Sequence, residues 1–357
     1  MYAFTFKPLV KFNRIWFGLI LLPLLCWGTY AQAISGPTLK NTIARGSLLC
    51  STAGSLHTDP LDLQKPGSIA GFDRDFCRAI AAAIFGDPTS VKLTQLVPKN
   101  RFQALQDGAV DVLVRTTTWT LKRDTSLGVH FAATNFYDGQ GFMAPKSLGV
   151  TSLLDLRKFG KTATACVEKD TTSAKNIIDY IKDHNLPIKV LEFNAFEELR
   201  YAFHTGRCNL YTGDRSFLIE VRISNVPVPQ NYMILDDIIS KEPLGIAVRD
   251  NDPQWFNIVR WVFNATVQAE ELGITSVNVD DLKANGTSVQ RRLLGADPGF
   301  GKDLGLSDDW AYQVIKHVGN YGEIFERNVG QKTIYGLKRS INDLWNRGGL
   351  MYAPPFH

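Results

Sequence analysis

Short apolar strands and amphipathic helices take turns along this chain twice over, and that alternation confines it to a narrow set of folds. Thr38 to Gly46 reads as a short helix leading into a strand at Ser47–Ser51. Gly71 to Asp75 opens a helix whose residues Phe76, Cys77, Ile80, Ala83 and Ile84 share one face, with Asp73 or Asp75 able to cap it. Val91–Leu96 follows as a strand, Arg101–Asp107 as a helix, and Val110–Val114 as a buried strand. The grammar restarts with strands at Thr162–Val167, Ile188–Phe193 and Cys208–Thr212, separated by helices at Thr172–His184 and Ala195–His204 and followed by a helix at Arg215–Ile223. Such order implies parallel pairing with helices on the sheet faces. Phe136–Lys146 and Ile238–Arg249 are the two segments expected to cross between the units. The carboxyl ends of the parallel strands would then face each other across a cleft.

The first residues follow a different logic. Lys7, Lys11 and Arg14 precede an apolar run from Ile15 to Trp27, and Thr29-Tyr30-Ala31-Gln32-Ala33 follows. A basic region, an apolar region and small residues before a cut describe a secretory signal peptide cleaved after Ala33. The run is shorter than the roughly 20 apolar residues a spanning helix needs, and Pro23 interrupts it. Cys26 is a poor lipidation site because Leu25 precedes it.

Subtracting the three leader cations from 39 basic residues leaves 36 against 35 acidic ones. That near-neutral balance gives no electrostatic footprint for nucleic acid. The remaining ~320 residues exceed what one compact core usually holds, so two lobes are expected. Four cysteines remain: Cys50, Cys77, Cys166 and Cys208. An even number in an exported protein suggests disulfides, and sequence alone leaves three pairings open. If each lobe holds one pair, Cys50–Cys77 and Cys166–Cys208 is the natural choice. A zinc site is the rival, without C-x-x-C or H-x-x-H spacing to support it. From Asn251 the pattern turns helical, with Trp255, Ile258, Val259, Trp261 and Val262 in one stripe. The tail from Arg291 to His357 reads as an ordered cap, with a capped helix from Ser307 and another near Lys338–Trp345.

Three polar clusters fall at strand–helix junctions, where free helix N–H groups favour anions. In the first, Arg123 with Thr116 and Thr118 offers a planar two-pronged donor plus hydroxyls, the set a carboxylate wants. The alternative is that the threonines cap the next helix and Arg123 pairs with Asp124. In the second, Thr172 can donate from the opposite lobe or serve in a helix cap. In the third, Asp214 can accept from an ammonium group or act as an N-cap. Cation and anion receptors on different lobes would be matched and desolvated only on closure, which couples closure to ligand capture.

Longer stretches carry a resemblance. They are Thr116-Thr117-Thr118-Trp119-Thr120 leading to Arg123-Asp124-Thr125-Ser126-Leu127-Gly128, then Tyr137-Asp138-Gly139-Gln140-Gly141-Phe142-Met143, Ile239-Ser240-Lys241-Glu242-Pro243-Leu244-Gly245, Gln254-Trp255-Phe256, Val318-Gly319-Asn320-Tyr321-Gly322-Glu323 and Tyr352-Ala353-Pro354-Pro355. The sequence resembles the periplasmic amino-acid-binding proteins of ABC transporters, solute-binding family 3, and within them the general L-amino-acid-binding branch. The resemblance implies an α/β fold of periplasmic binding protein type 2, with two lobes joined by two crossover segments and a helical C-terminal extension. The expected divisions are a signal peptide at 1–33, lobe one at 34–141 and 242–290, lobe two at 142–241, and an extension at 291–357 packing on the lobes. It further implies that Arg123 grips the α-carboxylate of a polar or acidic L-amino acid and Asp214 its ammonium. Thr116, Thr118 and Thr172 would add hydroxyl or backbone bonds. A periplasmic monomer that serves permease subunits at the inner membrane is expected, with no cofactor and no metal. Departures from the pattern are Gly54-Ser55-Leu56-His57-Thr58 where an aromatic usually covers the ligand, Thr116 for an amide residue, Asp170 for a glycine, and Asn209 and Gly213 near Asp214.

Two other functions fit such a fold. An enzyme similar to the cyclohexadienyl dehydratases would need a positioned acid or base, and His57 and Asp170 are the candidates. A sensory module docking to a membrane receptor is the other.

Overall fold

The computed structural model describes residues 36–52 and 68–356. The expected signal peptide with Cys26 and the Ala33 cut, and the loop carrying His57, lie outside the described residues. Among the described residues no helix is long and apolar enough to cross a membrane.

The chain runs α1 (Pro37–Arg45), β1 (Leu48–Thr52), α2 (Ile69–Phe85), β2 (Val91–Gln95), α3 (Arg101–Gln106), β3 (Val112–Thr118), α4 (Leu121–Ser126) and β4 (Val129–Asp138). Next come β5 (Gln140–Pro145), α5 (Leu153–Lys158), β6 (Ala163–Glu168), α6 (Thr172–His184), β7 (Ile188–Phe193), α7 (Phe196–His204), β8 (Leu210–Asp214), α8 (Arg215–Ser224) and β9 (Tyr232–Ile234). The return is β10 (Glu242–Arg249) and α9 (Pro253–Glu271). The end of the chain forms α10 (Val279–Asn285), α11 (Ser288–Leu293), α12 (Phe300–Leu304), α13 (Trp310–His317) and α14 (Tyr321–Asn328).

These strands make two five-stranded sheets, in the orders β2-β1-β3-β10-β4 and β7-β6-β8-β5-β9. In the first, β1 pairs parallel with β2 and β3, while β10 runs antiparallel to β3 and β4. In the second, β6 pairs parallel with β7 and β8, and β5 runs antiparallel to β8 and β9. The chain therefore crosses at Gly139, between β4 and β5, and returns between β9 and β10. Both expected crossings are present. They touch: a Cβ at Gly139 would come within 2.5 Å of Ile238 Cγ2 and 3.1 Å of the Ser240 carbonyl oxygen. Only a glycine lets the two connections approach this closely.

Each sheet buries an apolar layer under its helices. Around the first, Phe72 of α2 is met edge-on by Phe76, Phe136, Tyr321 and Phe325. Tyr321 and Phe325 belong to α14, so the C-terminal extension is part of the same core as Trp255 and Phe76. The Asn342 side chain accepts from Tyr137 N and donates to Tyr137 O, at 2.7 and 2.9 Å, and so grips β4 just before the crossing. Cys50–Cys77 ties β1 to α2, and Cys166–Cys208 ties β6 to the approach of β8. The zinc alternative for these cysteines is removed, because all four sulfurs are spent in disulfides.

Several local expectations change. Helix α2 begins at Ile69, capped by Ser68, which accepts from Gly71 N. Asp73 and Asp75 are therefore not caps but buried side chains turned to other work. β3 runs on to Thr118 instead of stopping at Val114, because its partner β10 continues to pair there. In the extension, α14 is an additional helix, and Lys338–Trp345 holds a 3₁₀ turn at Ser340–Asn342 rather than an α-helix. The expected helix from Ser307 starts at Trp310.

Candidate functional site

Arg115 to Thr118 ends β3, Glu168 ends β6, and Asp214 ends β8. These are the carboxyl edges of parallel-paired strands in the two sheets, the places where ligands of such sheets bind. The two edges are in contact: the Thr118 and Thr172 hydroxyl oxygens lie 3.3 Å apart.

The cap readings of the clusters resolve against most of the candidates. Thr120, not Thr116 or Thr118, caps α4 by accepting from Arg123 N. Thr171, not Thr172, caps α6 by accepting from Ala174 N. Asp214 stands at the N-cap position of α8 without making a capping bond. Asp138 supplies that service instead, its Oδ2 accepting from Ser216 N at 3.1 Å. Nor does Arg123 pair with Asp124, which accepts from Phe131 N. Arg123 Nη1 donates to Thr118 O at 2.8 Å and the guanidinium lies 5.4 Å from the Phe102 ring centroid.

Two further arginines stand beside it. Arg101, at the start of α3, is 3% exposed and its Nε has no hydrogen-bond partner among the described residues. Arg115 Nε donates to Leu96 O. Burial pushes the pKa of Arg101 well down, with Arg123 and Arg115 adding to the effect, while Glu168 and Asp214 oppose it. Arg123 is likewise lowered by burial and supported by Glu242 and Asp214. On the other side, burial raises Asp214 well above the usual carboxylate range, and Asp138 and Glu242 push it further against Arg101 and Arg123. Burial also raises Glu168, opposed by Arg115 and Arg101. Thus Arg101, Arg115 and Arg123 of the first lobe stand within electrostatic reach of Glu168 and Asp214 of the second, with Asp138 and Glu242 of the first sheet beside Asp214.

Thr116 has φ +35°, in the left-handed region that a β-branched residue seldom adopts. Asp73 holds it there, with Oδ2 accepting from Thr116 N at 2.9 Å and Oδ1 from Asn135 Nδ2 at 3.1 Å. Asp170 is exposed on a turn with φ +61°. Among the described residues no group of His, Cys, Asp and Glu is arranged to hold a metal ion.

Glu242 is the residue the sequence did not flag. It is 1% exposed, at the first position of β10. Its Oε2 accepts from Thr118 Oγ1 at 2.6 Å and Thr172 Oγ1 at 2.9 Å. Its Oε1 accepts from Asn176 Nδ2 at 2.8 Å and Ser240 Oγ at 2.6 Å. The Thr118 and Thr172 hydroxyls were expected to donate to a ligand carboxylate. Here both protons point at Glu242, leaving only oxygen lone pairs and backbone N–H groups for a ligand. Arg101 did leave a trace in the sequence, since a cation in the first turn of a helix opposes the macrodipole and needs another reason to be there.

Residues 52–275 match the family described as bacterial extracellular solute-binding proteins, family 3. The chain belongs to that family. Among relatives of this solute-binding protein, the general L-amino acid-binding periplasmic protein AapJ of Rhizobium johnstonii is 48% identical over 91% of this chain and 94% of its own length. The glutamate/glutamine/aspartate/asparagine-binding protein BztA of Rhodobacter capsulatus is 45% identical, covering 95% of this chain and 98% of the relative. A periplasmic binding protein of an ABC transporter from Brucella ovis, solved with glutathione bound, superposes with a TM-score of 0.82 at 46% identity. That superposition covers 89% of this chain and 98% of the other. These relatives are named as binding proteins, and the chain is a binding protein rather than an enzyme. The family match stops at residue 275, so the extension that completes the first core lies beyond it.

Proposed function

We propose that this family-3 solute-binding protein captures an L-amino acid with an acidic side chain between its lobes and passes it to ABC-transporter permease subunits. The observation that carries this reading is the opposition of Arg123 and Asp214 at facing sheet edges. A free amino acid presents one carboxylate and one ammonium, and these two residues offer one receptor for each, desolvated together only when the lobes meet. Thr116 and Thr118 frame the ammonium through backbone and hydroxyl oxygens, and Thr172 borders it from α6. Arg101, buried with an unpartnered Nε, is a second anion receptor beyond what the α-carboxylate requires, which favours a side-chain carboxylate over an amide. The names of two relatives support the amino-acid class without choosing acid over amide: AapJ is a general L-amino acid-binding protein, and BztA a glutamate/glutamine/aspartate/asparagine-binding protein.

In this reading lobe one comprises 34–141 and 242–290, lobe two 142–241, and 291–357 is the extension. The protein works as a periplasmic monomer after the leader is cut behind Ala33. A second reading has one specific support, the glutathione bound to the Brucella ovis relative. A γ-glutamyl peptide ends in the same amino-acid zwitterion and could use the same receptors.

Calorimetry on protein refolded to strip bound ligand tests both, with L-glutamate, L-aspartate, L-glutamine, L-arginine and glutathione as the panel. The acidic amino acids are expected to bind most tightly, and glutathione in first place would promote the second reading. Silence across the panel would sink the zwitterion clamp. Arg123→Ala should lower affinity at least 100-fold while the circular dichroism spectrum stays that of the parent. Unchanged affinity in that variant would mean another group receives the carboxylate.

A further inference from the structure

We propose that Glu242 is a ligand-independent latch, a positioning residue that holds the lobes closed and sets how slowly ligand leaves. This rests on the reading that the cleft captures an amino acid, but its own evidence is separate. Glu242 belongs by its backbone to the first sheet, where it pairs with Asp138. Two of its four donors, Thr172 and Asn176, stand on α6, which packs on the second sheet. Thr118 belongs to the first sheet, and Ser240 to the returning crossover. One carboxylate thus gathers hydrogen bonds from the first sheet, the second lobe and the connection between them.

The count of bonds separates a latch from a ligand receptor. An ionised carboxylate has about four acceptor positions, and four donors already occupy those of Glu242. No position remains for a ligand ammonium. Asp214 differs: it makes no capping bond, and the guanidinium groups of Arg101 and Arg123 reach it alongside the carboxyl groups of Asp138 and Glu242. Ammonium reception therefore falls to Asp214, and Glu242 serves closure. Opening would take Thr172 and Asn176 away from Glu242 and break two charge-assisted hydrogen bonds at once, whether or not ligand is present. Part of the free energy of closure is then built into the chain, and the apparent affinity contains the fraction of molecules already closed. A second consequence follows for Thr118 and Thr172. With both protons committed to Glu242, their hydroxyl oxygens are fixed as acceptors for whatever enters.

Two variants of the full-length chain test the latch. Asn176→Ala removes one donor at a partly exposed position on α6 and leaves the proposed ligand receptors intact. Glu242→Gln keeps the shape but turns part of the acceptor into a donor facing other donors. Small-angle X-ray scattering on ligand-stripped protein should give a larger radius of gyration for both variants than for the parent. Stopped-flow fluorescence with L-glutamate as probe should show dissociation about tenfold faster, the effect expected from losing one charge-assisted bond, with association not slowed. A role confined to fold stability would lower the melting temperature and move neither readout. That outcome, or a radius of gyration and dissociation rate in Asn176→Ala equal to the parent's, overturns the proposal. If the parent itself ignores L-glutamate, the ligand reading fails instead, and scattering decides the latch alone.

Discussion

Asp73 shows how one buried side chain links backbone strain to the cleft. Its carboxylate holds Thr116 in a left-handed conformation, and burial pushes its pKa up to about 6 against the hydrogen bonds from Thr116 and Asn135. The raised value means that the folded state keeps the proton more tightly than the unfolded chain does. The stabilisation from that proton is complete below the ordinary carboxylate value of 3.8 and disappears as pH rises through about 6. Converted at 1.36 kcal/mol per pKa unit, the advantage of wild type over Asp73→Asn should shrink by about 2 kcal/mol between pH 4 and pH 8. Urea unfolding of both proteins at the two pH values measures it, and a flat difference would contradict the assignment. Thr116 and Asp170 were both marked in the sequence as departures from the family pattern. Their φ values of +35° and +61° give those two departures a physical meaning, because each puts a side chain where the backbone favours none.

Among the elements, strand–helix order and some helix limits were written plainly in the periodicity. Helix α6, from Thr172 to the left-handed Asn185 that closes it, was legible to the residue. Helix α2 was misplaced at its start because Asp73 and Asp75 look like caps by composition, whereas Ser68 does the capping. Asp75 is instead drawn to Arg327 and Asn328 of α14, far along the chain. The disulfides fasten elements of the two sheets separately, across 27 and 42 residues of sequence. Loop-closure entropy makes such bridges worth about 3.5 and about 4 kcal/mol. Replacing Cys50 and Cys77 together by alanine should therefore cost roughly 3 kcal/mol in guanidinium unfolding, with the Cys166–Cys208 bridge intact. A cost below about 1 kcal/mol would mean that β1 and α2 need no tether.

At the scale of the whole molecule, the C-terminal extension is structural. Trp310, Tyr321 and Phe325 are buried with Phe72, Phe76 and Trp255. Arg339 clamps the extension to α9 through paired bonds of 3.0 and 3.1 Å to Glu270. Burying three aromatic side chains is worth on the order of 5–9 kcal/mol, comparable with the total stability of a domain. A chain ending at Asp308 is expected to lose its near-UV circular dichroism and its cooperative urea transition. Retention of both would show that the first core closes without the extension.

Much of the protein followed from its sequence alone. Strand and helix alternation, two lobes, the crossings and the charged ends of the strands are local or periodic properties, and periodicity survives in one dimension. Arg123 and Asp214 could be named because each sits at a strand–helix junction. The meeting of Arg101 with Glu168, and of Glu242 with Thr118 and Thr172, could not be, because these residues come from distant elements and are neighbours only once both sheets are built. Tertiary structure alone decided that the Thr118 and Thr172 protons go to Glu242 and that the tail belongs to the first core. Hydrogen-bond direction and burial depend on which distant groups arrive at the same point, and no residue's own neighbours in sequence carry that information.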